Sequence, residues 1–416
     1  MMAMRMIVNR VLHPVGHGAF FTEQFYDYHT GENVMNVVYD CGVRSNQPLL
    51  EQEIDGAFAR SNRPHVDFLF ISHLDKDHVS GIKYMIAAKY IDDMTTFVLP
   101  LYKDYELRIY EELTGNGVLA IYEVLRLAGI SRVLYVPLSG GERINGNDLS
   151  PIDMEGAFED IDGDEVSVNE LNGKLIKPTE KFIFRQIWEY IPFNLHDSTS
   201  VDFFDRVAKH PDLNIQDLDD VKKIFENSCS PNVKNKTPEQ IDANKKLKAL
   251  KSIYNSVGTP VGHDTLININ SLAVVSQAVN HIFIKASLLE RERFSWFGYD
   301  RNYYETIESD GNGTCTYTGD LNLSQDKDFD LLEQKVVSVL RSEPVFQMLQ
   351  IPHHGSKTSY NKRFCGGLSG CCFVNFNSGN GIFDQSITYD FFCARKQLLP
   401  VTEIASSRVV QEMMLR

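Results

Sequence analysis

The sequence of 416 residues lacks the features that mark membrane and secreted proteins. No run of about 18 consecutive apolar residues occurs, so no transmembrane helix is expected. The first residues contain neither a long apolar segment nor a small-residue cleavage site, which argues against a signal peptide. We therefore expect a cytoplasmic protein that does not associate with membranes.

Cysteine is scarce and forms no framework. The seven cysteines are odd in number and show no paired CxxC spacing, which argues against a disulfide-stabilised protein and favours reduced thiols. Several catalytic motifs are also absent from the sequence, namely the nucleophile elbow GxSxG, the P-loop and the zinc-protease motif HExxH. These absences leave few alternative chemistries.

Positive charge is in deficit. The chain has 41 Lys and Arg against 56 Asp and Glu, which gives a formal net charge of −15. Such a balance excludes a protein whose whole surface attracts nucleic acid, although it permits a local site where metal ions supply the positive charge. The hydrophobic content of 43% is enough for a sizeable core.

Apolar runs that predict strands alternate with amphipathic segments that predict helices. This alternation indicates an α/β fold, and we expect one domain over residues 1–416. The predicted strands are 34–39, 68–71, 96–100, 265–275, 345–351 and 372–376, and the predicted helices are 82–90, 121–127 and 330–340.

Residues 150–255 differ in composition, and we interpret them as a charged, largely helical insertion. Their first part is acidic and their last part is basic. The lysines Lys245, Lys246, Lys248 and Lys251 either form a solvated helix face or contact a phosphate backbone. The insertion is also a candidate surface for a protein partner.

The segment His73-Leu74-Asp75-Lys76-Asp77-His78 carries the strongest chemical signal. Four ligand-type side chains lie within six residues, directly after the apolar run 68–71. Imidazole nitrogen and carboxylate oxygen bind zinc, manganese and iron. If this segment forms a loop that folds over two ions, we predict that His73 and Asp75 face one ion, while Asp77 and His78 face a second ion beside it.

This segment resembles the signature HxHxDH of the metallo-β-lactamase superfamily, and its form HxDxDH is similar to that of the ComEC-like, nuclease-like branch. Further stretches resemble motifs of that branch in the same order along the chain. They are Val15-Gly16-His17-Gly18-Ala19, Val38-Tyr39-Asp40-Cys41-Gly42, Asn268-Ile269-Asn270-Ser271-Leu272, Thr318-Gly319-Asp320 and the PHHGSKTS segment at 352–359.

The resemblance implies an αββα sandwich with two divalent metal ions, zinc or manganese, at the shared edge of two sheets. It implies that Asp320 bridges the ions. It also implies that Asp40 supports the segment from His73 to His78, which we call the metal loop, without binding metal. The PHHGSKTS segment supplies a last histidine ligand. Because alternate residues of a strand point to opposite sides, we favour His354 as this ligand and expect His353 to contact substrate or to pack.

The chain departs from the family pattern at three points. Asp75 stands where the superfamily has a second histidine, which shifts the preference toward manganese or a mixed site. Most superfamily members have a further histidine ligand between the HxHxDH motif and the TGD motif, and its counterpart here is not obvious. His263 is one candidate, and Asn268 or Asn270 could occupy the position instead. His17 replaces a glutamine, and it either supports the site or belongs to a plain turn.

We expect a metal-dependent hydrolase, most plausibly a phosphodiesterase or nuclease in which two cations activate a water molecule. Asp320 would hold both ions, Asp77 would accept a proton, and His353 would contact the substrate. One alternative is a small-molecule hydrolase acting on a cyclic nucleotide, a phosphocholine-like ester or a lactone, which the acidic charge favours. Another is an interaction subunit that retains the fold.

Overall fold

The computed structural model shows two mixed β-sheets, which we call sheet A and sheet B, and helices on the outer side of each. Among the described residues, no helix combines the length and the apolar character needed to cross a bilayer. The structure describes residues 5–102, 104–114, 117–137, 149–178, 180–195, 205–213, 215, 218–228, 235–257, 271–279, 282–289, 306–311, 313–341, 348–366, 371–379 and 383–415.

Sheet A has eleven described strands and sheet B has eight. In spatial order, sheet A contains β14 (Thr306–Gly311), β13 (Ile282–Leu289), β19 (Val409–Leu415), β1 (Met6–Leu12), β2 (Gly18–Asp27), β3 (Asn33–Val43), β4 (Phe68–Phe70), β5 (Thr96–Pro100), β6 (Val133–Val136), β9 (Leu171–Leu175) and β8 (Asp164–Val168). Sheet B contains β18 (Gln397–Val401), β17 (Cys371–Asn375), β16 (Met348–Gln350), β15 (Cys315–Tyr317), β12 (Leu272–Ala278), β11 (Trp188–Asn194), β10 (Glu180–Phe184) and β7 (Ser150–Asp153).

The helices belong to two outer layers, apart from a single turn, α2 (Lys76–Val79), beside the candidate site. The layer over sheet A contains α1 (Gln47–Phe58), α3 (Ile82–Ala87), α4 (Asp104–Thr114), α5 (Val118–Leu127), α6 (Leu218–Asn227) and α7 (Pro238–Val257). The layer over sheet B contains α8 (Asp326–Val339) and α9 (Gln385–Ala394).

Three apolar cores fill the spaces between these four layers. The strand β4 shows why: Phe68 and Phe70 point into the core between the sheets, while Leu69 points into the core under the sheet A helices. A strand covered on both faces needs an uninterrupted apolar run, as the sequence has here. The fold class predicted from the sequence, an αββα sandwich, is confirmed.

Residues 150–194 differ from the helices that we predicted for this part of the chain. They form strands of both sheets: β8 and β9 extend sheet A, while β7, β10 and β11 extend sheet B. Phe182, Phe184 and Trp188 from β10 and β11 enter the core between the sheets. The acidic composition hid this alternation of apolar side chains. The helices of the predicted insertion lie in its second half, where α6 and α7 pack against each other.

Parallel strands bring the candidate ligands to one edge of the sandwich. In sheet A, β3 and β4 are parallel, and in sheet B, β15, β16 and β17 are parallel. Strands that run in the same direction end at the same edge, so the loops that follow them meet there. The metal loop follows β4. The turn Thr318-Gly319-Asp320, which we call the TGD turn, follows β15, and the turn Pro352-His353-His354, which we call the PHH turn, follows β16.

Candidate metal centre

Asp40 anchors the loop that carries His73 to His78. Its Oδ1 accepts a hydrogen bond from the Ser72 backbone N at 2.7 Å, and its Oδ2 accepts from Ser72 Oγ at 2.7 Å and from His78 Nδ1 at 2.8 Å. Asp40 is fully buried and adopts a left-handed backbone conformation with φ of 54°. The carboxylate therefore orients the loop and one imidazole from below, away from the open side of the site.

One group of donor atoms consists of His73, His78 and Asp320. His78 Nε2 lies 3.2 Å from Asp320 Oδ1, and His73 Nε2 lies 3.8 Å from Asp320 Oδ2. One donor atom from each residue lies within 4.8 Å of the other two. All three side chains are buried, so the group could hold a divalent cation shielded from solvent.

A second group consists of His17, Asp77 and His354. Asp77 Oδ2 lies 3.1 Å from His17 Nε2 and 3.3 Å from His354 Nε2. These three donor atoms also lie within 4.8 Å of one another. Asp320 stands between the two groups, because its Oδ1 is 3.7 Å from His354 Nε2.

The structure divides the predicted ligands differently from the sequence. Asp77 lies with His17 and His354, whereas the sequence placed it with His78. Asp75, predicted to share an ion with His73, lies 4.0 Å from His73 Nε2 and belongs to neither group. The reason is local: α2 begins at Lys76, and its turn sends Asp77 and His78 to different sides of the site.

Both histidines of the PHH turn face the site. His353 and His354 have positive φ values of 50° and 54° in a 3-10 turn, so the alternation expected for a strand does not apply to them. His353 Nε2 lies 3.8 Å from Asp320 Oδ2, and His353 Nδ1 contacts Ser359 Oγ at 2.8 Å. The His353 side chain is 17% exposed, against 3% for His354, which places His353 at the rim.

Hydrogen bonds assign the tautomers of two imidazoles. His354 Nδ1 donates to the Asn375 carbonyl at 3.0 Å, which leaves the lone pair on Nε2. Ser72 Oγ gives its proton to Asp40, so His73 Nδ1 donates to Ser72 Oγ at 3.0 Å. Both Nε2 atoms then point into the site as acceptors.

Four buried atoms at the centre make no hydrogen bond of normal geometry with the described residues. They are His73 Nε2, His78 Nε2, His354 Nε2 and Asp320 Oδ1. Buried polar atoms are nearly always paired, and a convergent set of unpaired imidazole and carboxylate atoms is typical of a metal-binding site. The donor set therefore fits a divalent metal ion.

The titration behaviour of these groups agrees with metal binding. Burial and the neighbouring His78 lower the pKa of His73 to about 3, which keeps its imidazole neutral. Although burial disfavours their charge, the surrounding histidines hold the pKa of Asp77 and of Asp320 well below the usual range. For His78, Asp320 and Asp40 outweigh burial and raise the pKa, so a cation would displace a proton there.

Two serines that the sequence analysis did not assign to the site support it. Ser72 links Asp40 to His73, as described above. Ser271 Oγ accepts from the Asp320 backbone N at 3.0 Å and lies 3.3 Å from His73 Nδ1. The sequence did point to Ser271, since it belongs to the stretch Asn268-Ile269-Asn270-Ser271-Leu272 that resembles a family motif. His263 and Asn270 lie outside the described residues, as does Asn268.

The candidate phosphate contacts lie on α7, in the helical layer over sheet A. Lys245 pairs with Asp212 and Lys246 with Asp242, each at 2.9 Å. Lys248 and Lys251 are exposed and form no ion pair within the described part of the chain. Acidic neighbours therefore neutralise half of the predicted basic patch.

Comparisons with known proteins give a weak likeness. No protein-family model matches the chain, and no curated protein is similar to it at a significant level. Among solved structures, a long form RNase Z from yeast aligns with 83% of this chain at 11% identity and a TM-score of 0.29. The alignment covers 32% of that structure, so this chain spans about a third of its length. The fold assignment rests instead on the layer order and strand topology described above.

Proposed function

We propose that this protein is a metal-dependent hydrolase of the metallo-β-lactamase superfamily that cleaves phosphodiester bonds. The observation that carries the proposal is the convergence of buried, unpaired imidazole and carboxylate atoms at one edge of the sandwich. Soluble proteins rarely leave several buried polar atoms unpaired unless a ligand completes them. Loops from both sheets supply these atoms, as the superfamily resemblance implies.

The ligands would be His73, Asp77, His78, Asp320 and His354, around two zinc or manganese ions. Asp75 belongs to neither donor group, and it would become a ligand only by moving toward His73, whose Nε2 lies 4.0 Å from its carboxylate. When bound, two such ions activate a water molecule and stabilise the charge that develops on a phosphoryl group. Asp320 Oδ1 lies near His78 of the first donor group and near His354 of the second, while its Oδ2 lies near His73 and His353. It would therefore hold the two halves of the site together.

Two further residues have proposed roles toward the substrate. Asp77 is the residue that we assign to accept a proton from the attacking water, although its lowered pKa makes it a weak base and suits it better to binding metal. His353 lies at the partly exposed rim, and its contact with Ser359 Oγ fixes the ring. Its Nε2 would donate a hydrogen bond to a substrate phosphate oxygen that enters from solvent.

The experiment loads metal-free protein with zinc or manganese. The loaded protein is then incubated with single-stranded DNA, double-stranded DNA, RNA and bis-para-nitrophenyl phosphate. We expect about two ions per chain and hydrolysis of at least one substrate. The bound metal and the activity should both be lost on chelation and restored on reloading. Protein that takes up no metal, or loaded protein that is inactive on all four substrates, would contradict the proposal.

A small-molecule phosphodiester is the second candidate substrate. It is favoured by the net charge of −15 and by the acidic partners of Lys245 and Lys246. Replacing Lys248 and Lys251 by Glu distinguishes the two candidates. If the substrate is a polymer, this variant should bind nucleic acid more weakly, and its binding should depend less on salt. Its hydrolysis of bis-para-nitrophenyl phosphate should be unchanged. Unchanged behaviour on all substrates favours the small molecule.

A further inference from the structure

We infer that His17 binds one of the metal ions directly and completes a site with Asp77 and His354. This inference rests on the proposed function, since it needs a metal-binding site. It differs from the expectation that His17 only supports its neighbours or lies in a plain turn. It also assigns a ligand that the resemblance does not supply, because the similar motif has glutamine at this position.

The spacing of the three donor atoms suits one ion. Zinc binds imidazole nitrogen and carboxylate oxygen at roughly 2.0–2.2 Å, so two donors in a tetrahedral site lie about 3.4 Å apart. His17 Nε2 and His354 Nε2 lie 3.1 Å and 3.3 Å from Asp77 Oδ2. The His17 and His354 rings are 4.4 Å apart between centroids. An ion between them would need only small side-chain shifts.

A hydrogen bond between His17 and Asp77 would pair these two side chains but would not supply a partner for His354. If His17 Nε2 carried a proton and donated it to Asp77, that pair would be complete. His354 Nε2 would still be buried, with no hydrogen bond from the described residues and with its proton on Nδ1. A cation bound by all three residues satisfies His354, His17 and the Asp77 charge together.

The turn before β2 holds His17 in place. The His17 backbone N donates to Asn377 Oδ1 at 2.7 Å, and its carbonyl accepts from the Arg44 backbone N at 2.9 Å. Gly16 has a φ of 74°, and a Cβ there would lie 2.1 Å from Asn377 Oδ1. Only glycine fits at this position, so the backbone of the turn is fixed. Asn377 is thus a positioning residue for His17.

The same stretch of chain also positions His354. Asn375 is the last residue of β17, and its carbonyl accepts the His354 Nδ1 proton. Asn377 follows two residues later and holds His17. One strand end therefore sets the relative position of two imidazoles that come from distant parts of the sequence, which is expected for ligands of a common ion.

One experiment replaces His17 by cysteine and loads the protein with Co²⁺. A thiolate bound to Co²⁺ gives a charge-transfer band in the near ultraviolet, whereas a cysteine that only lies near the ion gives none. We expect this band in His17→Cys and not in Co²⁺-loaded wild type, whose own cysteines serve as the control. Because cysteine is shorter than histidine and the turn is fixed, the result that would overturn the inference is wild-type affinity for both ions in His17→Gln.

A second measurement uses His17→Gln, which restores the residue of the similar motif. We expect one ion to bind at least 100-fold more weakly, as measured by competition with a chelator, while the other ion stays bound. The matched control is His13→Gln, since His13 is equally buried on the same turn but contacts Glu53 and Thr22. That variant should keep both ions.

The outcomes separate this inference from the proposed function. Wild-type protein that binds no divalent metal contradicts both. Wild type that binds two ions and hydrolyses a diester, together with His17→Gln that binds both ions at wild-type affinity, contradicts the role of His17 alone. Thermal unfolding of each metal-free variant shows whether an effect on metal affinity arises from loss of the fold.

Discussion

Two buried clusters of charged side chains in this protein differ in how completely they are paired. Between the sheets, Arg10 donates to Glu23, Gln411, Ser276 and the Gly313 carbonyl. Glu23 in turn accepts from Tyr190 and Tyr317. At the sandwich edge, His73, His78, His354 and Asp320 present unpaired atoms to one another.

The contrast shows how burial of charge separates structure from function. Both clusters lie away from water, where an unpaired charge is costly. In the Arg10–Glu23 cluster, hydrogen bonds from four other strands, β11, β12, β15 and β19, offset that cost, so no polar atom remains for a ligand. The edge cluster has ion pairs as well, but four of its buried atoms lack a hydrogen bond, and a cation of the right size could bind them. Completeness of pairing, rather than charge or burial, identifies the candidate site.

Replacing Asp320 by Ala should have the largest effect. Two nearby cations repel each other, and a shared carboxylate makes their proximity tolerable. We expect loss of at least one ion and a fall in diester hydrolysis of about 10³-fold or more. Elemental analysis and initial rates measure the two effects. Retention of both ions with normal turnover would show that the site is placed wrongly.

Replacing Glu23 by Gln tests the completely paired cluster. The change leaves the Arg10 charge buried without a counterion, which should lower the free energy of unfolding by about 3–5 kcal/mol. Metal content should not change, because no residue of this cluster belongs to the donor groups. Denaturant unfolding and elemental analysis check both statements. If Glu23→Gln loses metal but not stability, the Arg10–Glu23 cluster would belong to the metal site and would not have the structural role assigned to it here.

Replacing Asp40 by Asn tests a residue that is paired yet touches the edge cluster. Asn keeps the shape but cannot accept from Ser72 and His78 as strongly as a carboxylate does. We expect both ions to remain bound at saturating metal, with activity or metal affinity reduced about 10–100-fold. Rates across a range of metal concentrations give the measurement. An Asp40→Asn variant as inactive as Asp320→Ala would contradict a role limited to orienting the loop.

The pH dependence of stability gives the smallest effect. Burial opposes the charge of Glu23, but Arg10 and the hydrogen bonds outweigh it and lower the pKa below the ordinary 4.5. A lowered pKa stabilises the fold above pH 4.5, and this contribution is lost as the pH falls below it. The stability gap between wild type and Glu23→Gln should therefore narrow in acid, by at most about 1.4 kcal/mol per pH unit. Unfolding of both metal-free proteins at several pH values tests this, and a constant gap would contradict it.

Local sequence patterns were sufficient for much of the fold. The apolar run at β4 could be recognised because both faces of this strand are covered by apolar cores. Residues 150–194 could not be recognised in the same way. The acidic side chains of residues 151–170 are exposed between buried apolar ones, and only the neighbouring strands of two different sheets explain that pattern.

For the site, the sequence alone determined which residues follow the central strands: the loop from His73 to His78, Asp320, and the pair His353 and His354. Their meeting at one edge follows from parallel strands, which a sequence pattern can predict. Only the tertiary structure decided that Asp77 faces His17 and His354, that Asp75 stands apart, and that both PHH histidines turn inward. These outcomes depend on left-handed turns and on hydrogen bonds between residues far apart in the chain, such as His17 with Asn377. Local patterning encodes the ends of strands, whereas the direction of each side chain beyond those ends is set by partners that only folding brings together.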